Sequence, residues 1–101
     1  MPKHSSTTVW LAALLLAGLH SPVQAEQRSA QQNWQNSCVY CHTTGVGPDL
    51  LGRQLPEQMT VLLVRHGWRQ MPAFRDSEIS DTELTELARW LATQPATETL
   101  P

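Results

Sequence analysis

Four apolar positions near the end of the chain, Leu84, Leu87, Ala88 and Leu91, recur at i, i+3, i+4 and i+7, the spacing of one buried helix face. The run is preceded by Ser80-Asp81-Thr82-Glu83, where Ser80 and Glu83 are spaced to satisfy each other's free backbone N–H groups. Pro95 closes the element, and Trp90 lies beside the stripe. A second helix opens at Leu55-Pro56-Glu57, with Pro in its first turn. It places Met59, Leu62, Leu63 and His66 on one face and stops at Gly67. A first helix is expected from about Ser29 to Cys38, with Trp34 as its one large apolar residue. Between these elements, Gly45, Gly47, Pro48 and Gly52 crowd the segment from Thr43 to Arg53 and make it a loop. Trp68 to Asp76 forms a second loop around Met71-Pro72. No segment reads as a strand, so the pattern predicts an all-α domain of three or more short helices.

The N-terminal pattern is of another kind. Lys3 leads into an apolar stretch from Val9 to Leu19, followed by a polar segment ending Val23-Gln24-Ala25. This is the layout of a cleaved secretory signal peptide, residues 1–25, with a small residue at the junction before Glu26. The apolar stretch is shorter than the roughly 20 residues that span a bilayer. A secreted protein of the periplasm is therefore expected, with an uncleaved membrane anchor as the competing reading. Residues 26–94 then form one domain, and residues 95–101 a loosely ordered tail rich in Pro, Thr and Ala.

Charge narrows the partners. The whole chain has a net charge of −2, and removal of Lys3 with the leader makes the remainder more acidic. Every basic residue left is an arginine, suited to planar pairing with carboxylates. An acidic balance argues against nucleic acid as a partner.

A domain this small buries only about 60% of its unfolded surface and often needs a covalent or metal staple. Cys38 and Cys41 are the only cysteines. A disulfide across two intervening residues would close a tiny loop and constrain little of the unfolded chain. Cys38-Val39-Tyr40-Cys41-His42 instead carries the attachment signature of c-type haem. Two thiols add to the two vinyl groups, and the adjacent imidazole reaches the iron from the same side. His42 is thus the expected proximal ligand of one covalent haem c. The alternatives are a thioredoxin-like redox pair, which belongs at a βα junction, and half a zinc site, for which His66 is the one further candidate ligand.

The sixth ligand could come from Met71, Met59 or His66. Met71 is preferred, because it lies in a loop stiffened by Pro72 and far enough past His42 to cross to the opposite haem face. Met59 and His66 share a helix face with Leu62 and Leu63 and read as packing residues. A thioether opposite imidazole raises the potential and suits electron transfer rather than oxygen activation. A ligating histidine usually donates its other ring N–H to an acceptor, and the Gly47-Pro48 carbonyl region is well placed to accept. Arg53 is a candidate partner for a haem propionate, with plain solvated surface as its competing reading. Trp34, Trp68 and Trp90 are read as core or haem-pocket packing rather than an electron relay.

Taken in order, Cys38 to His42, Gly45-Val46-Gly47-Pro48-Asp49-Leu50-Leu51-Gly52-Arg53, and Arg65-His66-Gly67-Trp68-Arg69-Gln70-Met71-Pro72-Ala73-Phe74 resemble a small class I cytochrome c. More closely, they resemble the cytochrome subunits of the p-cresol methylhydroxylase and eugenol hydroxylase flavocytochromes. The resemblance covers nearly all of the chain after the leader. It implies the class I fold, its helices wrapped around one haem. It also implies a separate FAD-containing flavoprotein subunit that takes a hydride from an alkylphenol, forming a quinone methide that water hydroxylates. The flavin would pass its two electrons singly to this haem, and a soluble acceptor such as a small blue-copper protein would receive them. By the same resemblance the partner docks near Ala73 and Phe74. No catalytic acid, base or nucleophile is evident in this chain, so catalysis is expected of the partner. The competing functions are a free cytochrome serving another dehydrogenase or a terminal oxidase and, from a different class, a haem ligand sensor or peroxidase with an open sixth position.

Overall fold

Serine caps open two of the helical runs. The computed structural model describes residues 25–97 together with 18, 21 and 22. Ser29 Oγ accepts the Gln32 N–H at 3.2 Å while Gln32 Oε1 accepts the Ser29 N–H at 2.8 Å, a capping box that starts α1, Ala30–Asn33. The chain then widens into a π-helical turn, Trp34–Cys38, and tightens again into α2, Val39–His42. The helical run therefore passes through the cysteine motif rather than ending on it. Nothing from Trp34 to His42 breaks a helix, and the first glycine after it is Gly45. The hydroxyls of Thr43 and Thr44 close the run by donating to the carbonyls of Val39 and Tyr40, each at 2.7 Å.

Helix α3, Glu57–His66, starts after Pro56 and stops at Gly67, whose φ of 69° is the left-handed geometry that glycine adopts without strain. Its buried face differs from the expected one. Thr60 and Val64 are buried, whereas Met59, Leu62 and His66 are exposed. Both stripes have helical spacing, and packing against the last helix selects the first.

That last helix, α4, Asp81–Thr93, follows its sequence pattern closely. Ser80 Oγ accepts the Glu83 N–H at 3.2 Å, Glu83 Oε2 accepts the Ser80 N–H at 3.0 Å, and Leu84, Leu87, Ala88 and Leu91 are buried. It packs against both α1 and α3. The core consists of Trp34, Val64, Ile79, Leu84, Leu87 and Leu91. Trp90 covers one side, its ring centroid 5.9 Å from that of Trp34 at a tilt of 51°.

Two long-range ties complete the frame. Glu83 Oε1 accepts the Arg28 backbone N–H at 2.8 Å and its Nε at 3.3 Å, and Oε2 accepts Nη2 at 3.2 Å. The Arg28 guanidinium also donates to the Glu78 carbonyl. This arginine, with help from the Arg28 and Ser80 backbone N–H groups, holds the Glu83 carboxyl down to about 2. Elsewhere the Gly52 N–H donates to the Gln94 carbonyl at 3.1 Å. Gly52 takes φ 78°, and a Cβ there would collide with the backbone of Ala96, so only glycine lets the two segments touch.

Among the described residues there is no strand, only an isolated bridge between Trp68 and Met71, and the fold is all-α. No helix among them is long and apolar enough to cross a membrane. The expected leader, apart from residues 18, 21, 22 and 25, lies outside the described residues, as do residues 98–101 of the tail.

Candidate haem site

The helical course of the motif decides where its side chains go. Residues three and four apart on a helix share a face, so Cys38, Cys41 and His42 project from one side. No disulfide joins the two cysteines. Cys38 is half-buried against the core, and this burial, with Cys41 nearby, pushes its thiol up to about 11.

His42 is fixed by the loop that follows it. Its Nδ1 lies 2.7 Å from the Pro48 carbonyl oxygen. A carbonyl can only accept, so Nδ1 carries the proton and Nε2 keeps its lone pair for a metal. Gly47 makes the approach possible, because a Cβ there would stand 3.2 Å from both Cε1 and Nδ1 of the ring. The Gly47 N–H also donates to the Cys41 carbonyl at 2.8 Å, which folds the loop back onto the motif.

Met71 is presented by a two-residue turn. The Trp68 N–H donates to the Met71 carbonyl at 3.1 Å and the Met71 N–H to the Trp68 carbonyl at 3.0 Å. Arg69 occupies the first central position with φ 55°, and its guanidinium lies 4.8 Å from the Trp68 ring centroid. Met71 is half-buried against the same core that Cys38 borders. Phe74 is also half-buried there, while Ala73 and Arg53 are exposed and Trp68 keeps 64% of its surface.

A family model described as cytochrome C oxidase, cbb3-type, subunit III matches residues 25–91. The chain belongs to the cytochrome c family. Among its relatives is the 4-cresol dehydrogenase [hydroxylating] cytochrome c subunit of Pseudomonas putida, 38% identical over 90 residues, which covers 87% of this chain and 80% of that one. Two crystal structures of p-cresol methylhydroxylase, one with substrate bound, contain chains of the same fold. They are 40% identical, with TM-scores of 0.66 and 0.65, and the match covers 71% and 70% of this chain and all of theirs. The family model names a subunit of cytochrome C oxidase and the curated relative the cytochrome c subunit of 4-cresol dehydrogenase; what they share is the c-type cytochrome domain.

The donor set fits a c-type haem. A tautomer-locked imidazole stands beside two thiols on one helix face, and a thioether borders the same core. Large apolar side chains lie exposed on the motif and its loop at Tyr40 and Val46, on α3 at Met59 and Leu62, and beside Met71 at Trp68. That is much apolar surface for so small a domain, and a porphyrin is the kind of group that would cover it. His66 and Met59, the other ligand candidates, are exposed residues of α3. Sequence reasoning gave no role to Arg65, which structurally dominates the methionine loop. Its guanidinium bonds reach residues nine to sixteen positions away, and only the order Arg65, Asp76, Asp81 hinted at them.

Proposed function

We propose that this chain is the electron-transfer subunit of an alkylphenol-oxidising flavocytochrome in the periplasm, with one covalent haem c. The reading follows the relationship to the p-cresol methylhydroxylase cytochrome. The observation that carries it is the His42 to Pro48 bond, which aims Nε2 from the helix face that bears both thiols. When bound, the haem supplies a one-electron ferric/ferrous couple, which imidazole and thioether ligation poises toward the ferrous state.

The residues divide the remaining work. Cys38 and Cys41 would hold the haem through their thiols. His42 would ligate the iron through Nε2, its ring held by the Pro48 carbonyl. Met71 would supply a thioether to the iron and exclude small ligands, which separates this reading from a sensor or peroxidase. Arg53 offers its guanidinium to a propionate, and Trp68 covers the site edge. Ala73 and Phe74 mark the docking face for an FAD-containing partner, from which electrons arrive singly. A soluble acceptor such as a blue-copper protein removes them.

Co-expression with a phenol-oxidising flavoprotein from the same genome tests the assignment. A complex that survives gel filtration, with a cytochrome chain beginning at Glu26, is expected. Isolation only as a lone monomer contradicts the subunit reading. It would favour a free cytochrome serving an oxidase, the reading to which the matching family model lends support.

A further inference from the structure

We infer that Arg65 is a positioning residue for Met71, its guanidinium tying down the chain that follows Met71-Pro72 and so keeping the thioether in place. The inference rests on the reading of Met71 as an axial ligand and goes beyond it. Met71 lies in a loop, so its position depends on how the loop is anchored on either side. On the upstream side the anchors are backbone groups. Trp68 and Met71 exchange their N–H bonds, and Gly67 lies so close that a Cβ there would come within 2.7 Å of the Met71 carbonyl oxygen.

On the downstream side a side chain joins the backbone. Pro72 has no N–H, and the first backbone anchor past Met71 is Phe74. Its N–H donates to the Val64 carbonyl at 2.8 Å, and its carbonyl accepts from Arg65 Nη1 at 3.3 Å. Consecutive residues of α3 thus hold both polar groups of Phe74. The same Nη1 donates to the Ile79 carbonyl at 2.9 Å, while Nη2 reaches Asp81 Oδ1 at 2.6 Å and Asp76 Oδ1 at 3.2 Å. One guanidinium therefore joins the end of α3, both ends of the segment 74–79 and the first turn of α4. The Arg65 side chain is only 16% exposed whereas both aspartates face solvent, so the bonds to the carbonyls lie on the shielded side. Such a four-way junction needs the planar fork of arginine, since an ammonium group cannot span it.

The consequence concerns local opening. An added ligand reaches the iron only in the fraction of molecules whose Met71 has moved away, and its apparent affinity scales with that fraction. Imidazole titration of the ferric holoprotein reads it. Arg65→Ala is expected to bind imidazole about tenfold more tightly than the parent, the effect of losing roughly one charged hydrogen bond. Without imidazole, the methionine–iron charge-transfer band should persist. Arg65→Lys, which keeps the charge and loses the fork, should fall between the two and serves as the test if Arg65→Ala does not accumulate. Ser29→Ala, which removes the α1 cap whose bonds are to Gln32, is the control for general destabilisation and should stay within about twofold of the parent. Equal affinities in parent and Arg65 variants, or an equal rise in Ser29→Ala, overturn the inference. A parent protein that lacks the band removes Met71 as a ligand and the inference with it, so the two failures are told apart.

Discussion

The Pro48 carbonyl oxygen stands 2.7 Å from His42 Nδ1, and the glycine before that proline leaves no space between loop and imidazole. The bond sets the tautomer, the ring plane and the electron richness of His42 together. A Cβ at position 47 would press on the ring at 3.2 Å. Gly47→Ala is therefore expected to lengthen the bond, weaken the imidazole as an electron donor to the iron and raise the midpoint potential by tens of millivolts. For one electron, a tenfold change in the ferric-to-ferrous balance is about 59 mV. Spectroelectrochemical titration checks it, and an unchanged potential would show that this bond does not tune the iron.

Acid should unlock the tie between the start of the domain and α4. Glu83 is held at about 2 by Arg28, below its ordinary value of 4.5. The stability this supplies is fully present above about pH 4.5 and is lost as the pH falls toward 2. Arg28→Ala should cost about 1–2 kcal/mol at neutral pH, the low end for charge-assisted bonds because the arginine is partly exposed. Its deficit against the parent should shrink steadily below pH 4.5. Urea unfolding at pH 7 and near pH 2.5 measures both, and a deficit that does not change with pH would remove Glu83 as its cause.

Thr60 offers the opposite sign. Its Oγ1 is buried between α3 and its surroundings without a hydrogen-bond partner among the described residues. Thr60→Val replaces an unsatisfied hydroxyl with a methyl group of similar size and should stabilise the fold by about 1 kcal/mol. Thermal unfolding with an unchanged visible spectrum is the expected result; a loss of stability would mean that the hydroxyl has a partner in the holoprotein.

The sequence was most legible where the signals are local. The Ser80 capping box and the Leu84 to Leu91 stripe contain their own start, face and stop, and α4 follows them. The contact of His42 with Pro48 could be sought six residues on, because a glycine-rich turn immediately after the motif can fold back on it. Helix α3 could be read as a helix but not oriented. Met59, Leu62 and His66 have the same periodicity as Thr60 and Val64, and only the position of α4 decides which stripe is covered. The course of α2 is not legible, because the spacing of the haem motif is the same whether it ends a helix or lies within one. Arg28 and Arg65 were invisible for a different reason. Their partners lie on other elements, and a lone arginine in a sequence looks the same whether it is solvated or bound on several sides.

Electron counting under anaerobic conditions tests the central claim most directly. When an alkylphenol is mixed with the complex of this chain and its flavoprotein, the haem band should reduce without any other donor. Given enough cytochrome, two haems should be reduced for each substrate molecule oxidised, in successive one-electron phases. A haem that stays ferric while the flavin is reduced would contradict the account.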